Sequence, residues 1–349
     1  MASALNVVSY RPVREGETRT PTVGAMPTAL VRRPGPRLAD GIVTHIDRSP
    51  IDLDLAIEQW TAYCAALAAA GWDVVEVEPA DDCPDAVFIE DAVVVHGDLA
   101  VITRPGALER RGETAGAERA VRDLGLRVVR IEEPGTLDGG DVLRAGDTAY
   151  VGLGGRTNGV GIQQLATHLK EFGVRVQAVP VTRALHLKSA VTALPDGTVI
   201  GWGPVVDDKE AFPVYEDVPE EGGAHVIVVG EGHLVMAASA PTTAASFRDR
   251  GYVVDEVDIS ELEKLEGCVT CLSAARPHLA RPGDDQGAAL VRGRPARRQP
   301  GPHRPDGRRA QDAHVRAAGE DGLQGDRGRL PVGQPDRLRL RRQLIEGGH

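Results

Sequence analysis

Repeated strand–strand–helix–strand units predict an α/β fold in which small sheets stand around a ring. The first observation is a series of tight hairpin signals, at Gly97-Asp98, Gly146-Asp147 and Pro195-Asp196-Gly197, each between apolar alternating runs. The second is that the hairpins at 86–104 and 141–153 are each followed by a helical stretch and another strand, which makes a ββαβ repeat of unequal length. The third is that the N-terminal piece lacks one strand, which the chain around Cys271 can supply, so that the two ends close the ring. A radial arrangement of this kind leaves few exposed edges, whereas an ordinary doubly wound sheet would not need so many hairpins.

The elements follow in order. TALVRR (28–33) reads as a strand, 51–70 as a helix and WDVVEVE (72–78) as a strand. The hairpin AVFIEDAVVVHGDLAVITR (86–104) precedes a helix at about 107–124 and the strand 126–132. DVLRAGDTAYVGL (141–153) precedes a helix at about 158–172 and the strand 174–181. A third hairpin spans 185–203 and a fourth 225–239, the latter followed by a helix near 242–250 and the strand YVVDEVDI.

The two ends differ from this middle. The 349 residues hold 40 Lys+Arg and 51 Asp+Glu, for a net charge of −11. Of these, 16 Arg and 9 acids lie after Ser273, so the body has 24 bases against 42 acids and the tail is basic. An acidic body argues against nucleic-acid or anionic-membrane partners and favours a cationic or neutral ligand. No apolar run reaches the length of a membrane span. Residues 1–25 carry no secretory pattern and read as a disordered leader, with Met26 a candidate start. Residues 274–349 contain no aromatic residue, Met, Cys or Lys, too little apolar surface to offset ordering entropy. A flexible tail, a nucleic-acid-binding arm and out-of-frame translation are all compatible, and Arg without Lys favours the last. Pro277 is then expected to disturb the ring-closing strand. The expected protein is cytoplasmic.

The candidate chemistry starts from four cysteines, too few for a disulfide scaffold in a chain this long. Cys64 reads as a core residue and Cys83 as a loop thiol. Cys268 and Cys271 form C-V-T-C without the following helix of a redox motif or further ligands for a metal. Pattern alone ranks them as core thiols first and a nucleophile second. His186, with a distant Cys and a carboxylate, makes the minimum kit for thiol chemistry. Asp138 and Asp141 flank the glycines of L-D-G-G-D, which suggest close backbone approach. Asp85, Glu90 and Asp91 form an acidic cluster; turned into one pocket it suits a guanidinium.

Six ordered stretches, F-I-E-D, I-T-R-P-G-A-L-E-R-R, L-D-G-G-D-V-L, Y-V-G-L-G-G-R-T-N, L-H-L-K-S and E-L-E-K-L-E-G-C-V-T-C-L-S, make residues 26–273 resemble the dimethylarginine dimethylaminohydrolases. The resemblance implies a catalytic domain that is a five-bladed α/β propeller of ββαβ modules. It implies a C–N hydrolase that takes a small cationic substrate, a methylated arginine, to citrulline and needs no cofactor or metal. Cys271 is then the nucleophile, His186 the general acid/base and Asp138 its orienting carboxylate. Asp85, Glu90 and Asp91 would hold the guanidinium and amine side, and Arg110 and Arg156 the α-carboxylate. The Leu265 carbonyl would meet the α-amino group and Leu38 would belong to the lid loop. Cys268 stands where an apolar residue is expected. Arginine and agmatine deiminases are similar but tend to carry an acid two positions after the catalytic His, where this chain has Lys188. Deimination of free arginine and a catalytically silent arginine-binding propeller stand as alternatives, as does nucleic-acid association through the tail. A monomer or homodimer is expected.

Overall fold

The computed structural model describes residues 26–276; the expectations for the leader and for the Arg-rich stretch after Arg276 lie outside the described residues. Fifteen strands form five separate three-stranded sheets, each one blade.

Strand β1 (Thr28–Val31), helix α1 (Leu53–Ala69) and β2 (Asp73–Glu76) open the chain. Asp52 caps α1 by accepting from the Leu55 amide at 3.1 Å, which satisfies one of the orphan donors of the first turn. The second blade contains β3 (Val93–His96), β4 (Leu99–Ile102), α2 (Thr114–Asp123) and β5 (Arg127–Arg130). The third contains β6 (Val142–Ala145), β7 (Thr148–Leu153), α3 (Gly159–Leu169) and β8 (Arg175–Pro180). In every blade the first two strands pair antiparallel and the middle strand pairs parallel with the last. Gly97 and Gly146 sit at φ +62 and +56, the left-handed geometry that matches hairpin twist and that glycine adopts without strain.

The fourth blade departs from the repeat. β9 (Val191–Ala193) and β10 (Val199–Gly201) are followed by two 3-10 turns instead of an α-helix, then by β11 (Tyr215–Asp217), a strand the hydrophobic pattern did not reveal. Tyr215-Glu216-Asp217 is half-buried to exposed, so it lacks the apolar alternation of the other strands. The fifth blade has β12 (Val226–Gly230), β13 (His233–Ala237), α4 (Pro241–Asp249) and β14 (Val253–Val257). Helix α5 (Ser260–Glu263) leads back to the first blade.

The last strand, β15 (Ser273–Arg276), pairs antiparallel with β1 over four residues, from Thr28 opposite Arg276 to Val31 opposite Ser273. The two ends of the described residues therefore share a blade, as the missing strand required. The anticipated disturbance after Ser273 does not reach this pairing, because β15 matches β1 residue for residue before Pro277. Ala274 is buried with Leu30, Val75 and Ile89 between the first two blades. On the other face, Tyr63 of α1 is buried and donates its hydroxyl to Ser273 Oγ at 2.8 Å.

That hydroxyl pair joins the start of the chain to its closing strand. Tyr63→Phe and Ser273→Ala are each expected to destabilise the protein by about 1–2 kcal/mol. The double variant should cost less than the sum. Urea unfolding of the four proteins checks this; full additivity would show that the pair does not couple the ends.

Candidate active site

A short 3-10 turn precedes the first strand of each blade, at Ile89–Ala92, Gly139–Asp141, Leu187–Ser189, Glu221–Ala224 and Val269–Leu272. The turn at 269–272 touches 89–92, which touches 139–141, which touches 187–189. Distant sequence segments thus converge, and Glu90, Asp91, Asp138, His186 and Cys271 lie on or beside these turns.

Ile42, Asp85, Phe88, Asp91, Arg110, Arg156, Leu185, His186, Leu265, Glu266, Gly267 and Cys271 line one small pocket. His186 Nε2 lies 3.0 Å from Asp138 Oδ2, and both side chains are buried. Asp138 Oδ1 accepts from the Gly106 amide at 2.9 Å. Asp141 accepts from the Leu187 amide at 2.9 Å and from Thr157 Oγ1 at 2.6 Å, which pins the turn that carries His186. The two intervening glycines allow this approach. A Cβ on Gly140 would fall 2.7 Å from His186 Nδ1 and 2.6 Å from Asp91 Oδ1, and one on Gly139 would strike the Glu90 carbonyl.

Burial opposes a charge on His186, but Asp91, the hydrogen bond to Asp138 and Asp141 outweigh it and raise the imidazole to about 9. Burial would likewise raise Asp91, yet His186, Arg110 and the Gly140 amide bring it down to about 2. Asp141 is pushed up to about 6 by burial, and burial also raises Asp85. Cys271 Sγ lies 3.2 Å from Cys268 Sγ. The hydrogen bond from Cys271 holds the Cys268 thiol well below the usual thiol range, and the same contact, with burial, holds Cys271 above it, so the pair gives up one proton and not two.

No family model matches the chain. A dimethylarginine dimethylaminohydrolase of Streptomyces coelicolor is 62% identical over 245 residues, which is 70% of this chain and 95% of that protein. The corresponding protein of Pseudomonas aeruginosa is 37% identical over 249 residues, 70% of this chain and 97% of the other. The chain belongs to the dimethylarginine dimethylaminohydrolase family. A solved structure of the Pseudomonas protein, a cysteine-to-serine mutant complexed with citrulline, superposes with a TM-score of 0.67 at 35% identity, covering 72% of this chain and 99% of that one. An arginine dihydrolase of the cyanobacterial ornithine–ammonia cycle shares the fold at a TM-score of 0.66 and 21% identity, over 73% of this chain and the whole of that domain.

Within this dimethylarginine dimethylaminohydrolase fold, the expected site residues divide into three groups. Cys271, His186, Asp85, Asp91, Arg156 and Leu265 line the pocket, with Asp138 directly behind His186. Glu90 does not line it: one carboxylate oxygen takes Lys188 Nζ, and the other is buried without a partner. The role expected for Glu90 on the guanidinium thus competes with a buried contact to Lys188. Burial pushes Glu90 up to about 8, against the pull of Lys188. Leu38 is fully buried in the core beside Leu265 and contributes no pocket surface of its own.

Arg110 lines the pocket as well, fully engaged with protein. Nε and Nη2 clasp Glu113 at 2.9 and 2.8 Å, Nη1 bonds Asp91 at 2.5 Å, and Nη2 also reaches the carbonyls of Asp85 and Phe88. Every nitrogen has a protein partner, so from the pocket wall Arg110 also holds Asp91 in place. Arg156 is different: Nη1 is buried with no hydrogen-bond partner and lies 3.9 Å from Asp138. Asp91, Asp138 and His186 also bring three donor atoms within 4.8 Å of one another, but Arg110 and His186 already balance these carboxylates.

Sequence reading missed Glu113 and Glu266. Glu113 stands three residues after Arg110 in a 3-10 turn, a spacing that could have suggested the pair. Glu266, the non-glycine residue at positive φ (60) among the described residues, accepts the Thr44 amide at 2.9 Å and the His45 amide. Asp85 takes the Ile42 amide on both oxygens, at 3.0 and 3.2 Å. Two carboxylates thus latch the 41–48 loop over the pocket, and nothing in the local sequence pairs residues so far apart.

Glu266→Ala should free two of those amides and speed hydrogen exchange at Thr44 and His45 by about tenfold or more. Unchanged protection would remove the latch. The pH dependence has a definite sign. The His186 contribution is fully present below its ordinary 6.5 and is lost as pH rises through about 9. The Asp91 contribution is present above 3.8 and is lost as pH falls toward 2. The native protein should therefore lose more stability between pH 6.5 and 9.5 than His186→Asn does, by roughly 1–3 kcal/mol. Parallel stability curves would contradict this assignment.

Proposed function

We propose that this chain hydrolyses N-methylated arginines to citrulline and methylamine or dimethylamine through a covalent intermediate on Cys271. The observation that carries the reading is the convergence of Cys271, a protonated His186 backed by Asp138, and the anionic Asp91 on one buried pocket. The family relationship gives the substrate class: the relatives' names state dimethylarginine hydrolysis, and one was solved with citrulline.

Asp91 and Asp85 hold the cationic guanidinium, and Arg156, with its unpartnered Nη1, takes the α-carboxylate. Leu265 offers its carbonyl to the α-amino group. A guanidinium beside Cys271 favours the thiolate and replaces a bimolecular encounter with attack inside one complex. The C–S bond forms at the guanidinium carbon. The C–N bond to the methylated nitrogen then breaks as His186 gives its proton to the departing amine. A thiouronium remains on Cys271. Water attacks it and yields its proton to His186, the C–S bond breaks, and citrulline leaves.

Lys188 bears on substrate choice. It occupies Glu90 inside the ring of turns, so this position provides no second acid for an unsubstituted guanidinium. That contact favours methylated arginine over free arginine. The intact pocket gives no support to the silent-binder alternative. In the same reading, residues 26–273 are the catalytic domain and the segments on either side take no part in turnover. A cytoplasmic enzyme, monomer or homodimer, belongs to the same proposal; its four free cysteines are in keeping with a reducing compartment. No described helix is long and apolar enough to cross a membrane.

Citrulline release from dimethylarginine, monomethylarginine and arginine tests the proposal. Release from the methylated substrates is expected, with none from Cys271→Ser; release from arginine alone would make the chain a deiminase. Arg156→Ala should raise KM by about 10–100-fold, as expected for losing one charge-assisted contact, with a smaller change in kcat. An unchanged KM would move the carboxylate grip elsewhere.

A further inference from the structure

Cys268 is a buried thiol that the proposed mechanism does not use, and it is the nearest sulfur to the one it does use. The two Sγ atoms lie 3.2 Å apart. The Cys271 amide bonds back to the Cys268 carbonyl at 3.1 Å, closing a turn. Such a turn brings its first and fourth Cα atoms within about 7 Å. A disulfide spans Cα separations of this size and needs its sulfurs about 2.05 Å apart, so a small side-chain rotation suffices. No following α-helix is required, which is why sequence pattern alone ranked the pair as core thiols.

The two sulfurs also face different spaces. Cys271 lines the substrate pocket. Cys268 lines a separate cavity of about 540 Å³ bounded by Arg183, Trp202, His225 and Glu263. Leu185, Glu266 and Gly267 form walls of both. A small neutral oxidant thus has a space beside the pair that is larger than the pocket itself.

We propose that Cys268 and Cys271 are a peroxide-reactive dithiol that closes to a reversible intramolecular disulfide, with Cys268 as the resolving thiol. Cys271 passes its proton to the Cys268 sulfur across the 3.2 Å contact and attacks hydrogen peroxide, forming an S–O bond as O–O breaks and hydroxide leaves; the sulfur becomes a sulfenic acid and the peroxide is reduced. Cys268 then attacks that sulfur, S–S forms, S–O breaks, and the oxygen departs as water with the Cys268 proton. An external dithiol returns both electrons and is itself oxidised to a disulfide. The disulfide removes the nucleophile but intercepts the sulfenic acid before it advances to the irreversible sulfinic state. Only the effect on turnover rests on the function proposed above; the disulfide itself does not.

The test exposes the full chain to excess hydrogen peroxide, then splits the sample with and without dithiothreitol. Mass mapping of the oxidised native protein should show a peptide carrying Cys268 and Cys271 that lacks two hydrogens. Citrulline release should fall to background and return almost fully with dithiothreitol. Cys268→Ala and Cys268→Val, the second filling the site with an apolar side chain, should turn over before oxidation, gain oxygen on Cys271, and recover little. Sulfinic acid on Cys271 of the native protein without the internal disulfide would overturn the proposal. Equal recovery of native and Cys268 variants would overturn it too. If no citrulline forms before oxidation, the functional reading fails by itself, and the mass map still decides the disulfide.

Discussion

Four residue pairs hold the ring shut. The antiparallel register of β15 against β1 joins Ser273–Arg276 to Thr28–Val31 and makes one three-stranded blade from both ends of the described residues. Cys271 stands two residues before that strand, so the pairing that closes the fold also delivers the nucleophile. Loop closure over such a length costs entropy, which burial of Ala274 between two apolar clusters and the Tyr63–Ser273 contact help to offset.

The ring then works by repetition. Each blade begins with a 3-10 turn whose residues are the last before a paired strand, so their backbone is fixed on one side and free to project a side chain on the other. Glu90 and Asp91, Asp138 and Asp141, His186, and Cys271 all occupy or flank such turns. Buried charge is tolerated there because it is balanced, Asp91 by Arg110 and His186 and Glu113 by Arg110. The same balance keeps His186 charged and Asp91 anionic, the states that proton donation and cation binding require.

Not every acid near the centre has the same task. Asp91 lines the pocket, while Glu90, one residue earlier, turns the other way to Lys188. Adjacent residues of a tight turn point in different directions, so composition places both at the centre but cannot assign one to the ligand. The two arginines divide in the same manner. Arg110 spends its whole donor set on protein, whereas Arg156 keeps a buried nitrogen unused.

The sequence alone determined the blades, because hairpin glycines and period-two apolar runs are local signals: the turns at Gly97 and Gly146, the helices after them and the missing first-blade strand were all readable. It also marked Cys271, His186 and Asp138 through the order of short motifs. β11 escaped, since a half-exposed Tyr-Glu-Asp carries no alternation. The tertiary structure alone decided which groups meet. Glu266 latches the 41–48 loop from more than two hundred residues away, Lys188 claims Glu90, and two cysteines three residues apart come into sulfur contact because a turn closes between them. Such contacts depend on the angle at which one turn faces the next, and that angle is set by the packing of five sheets rather than by any local run of residues.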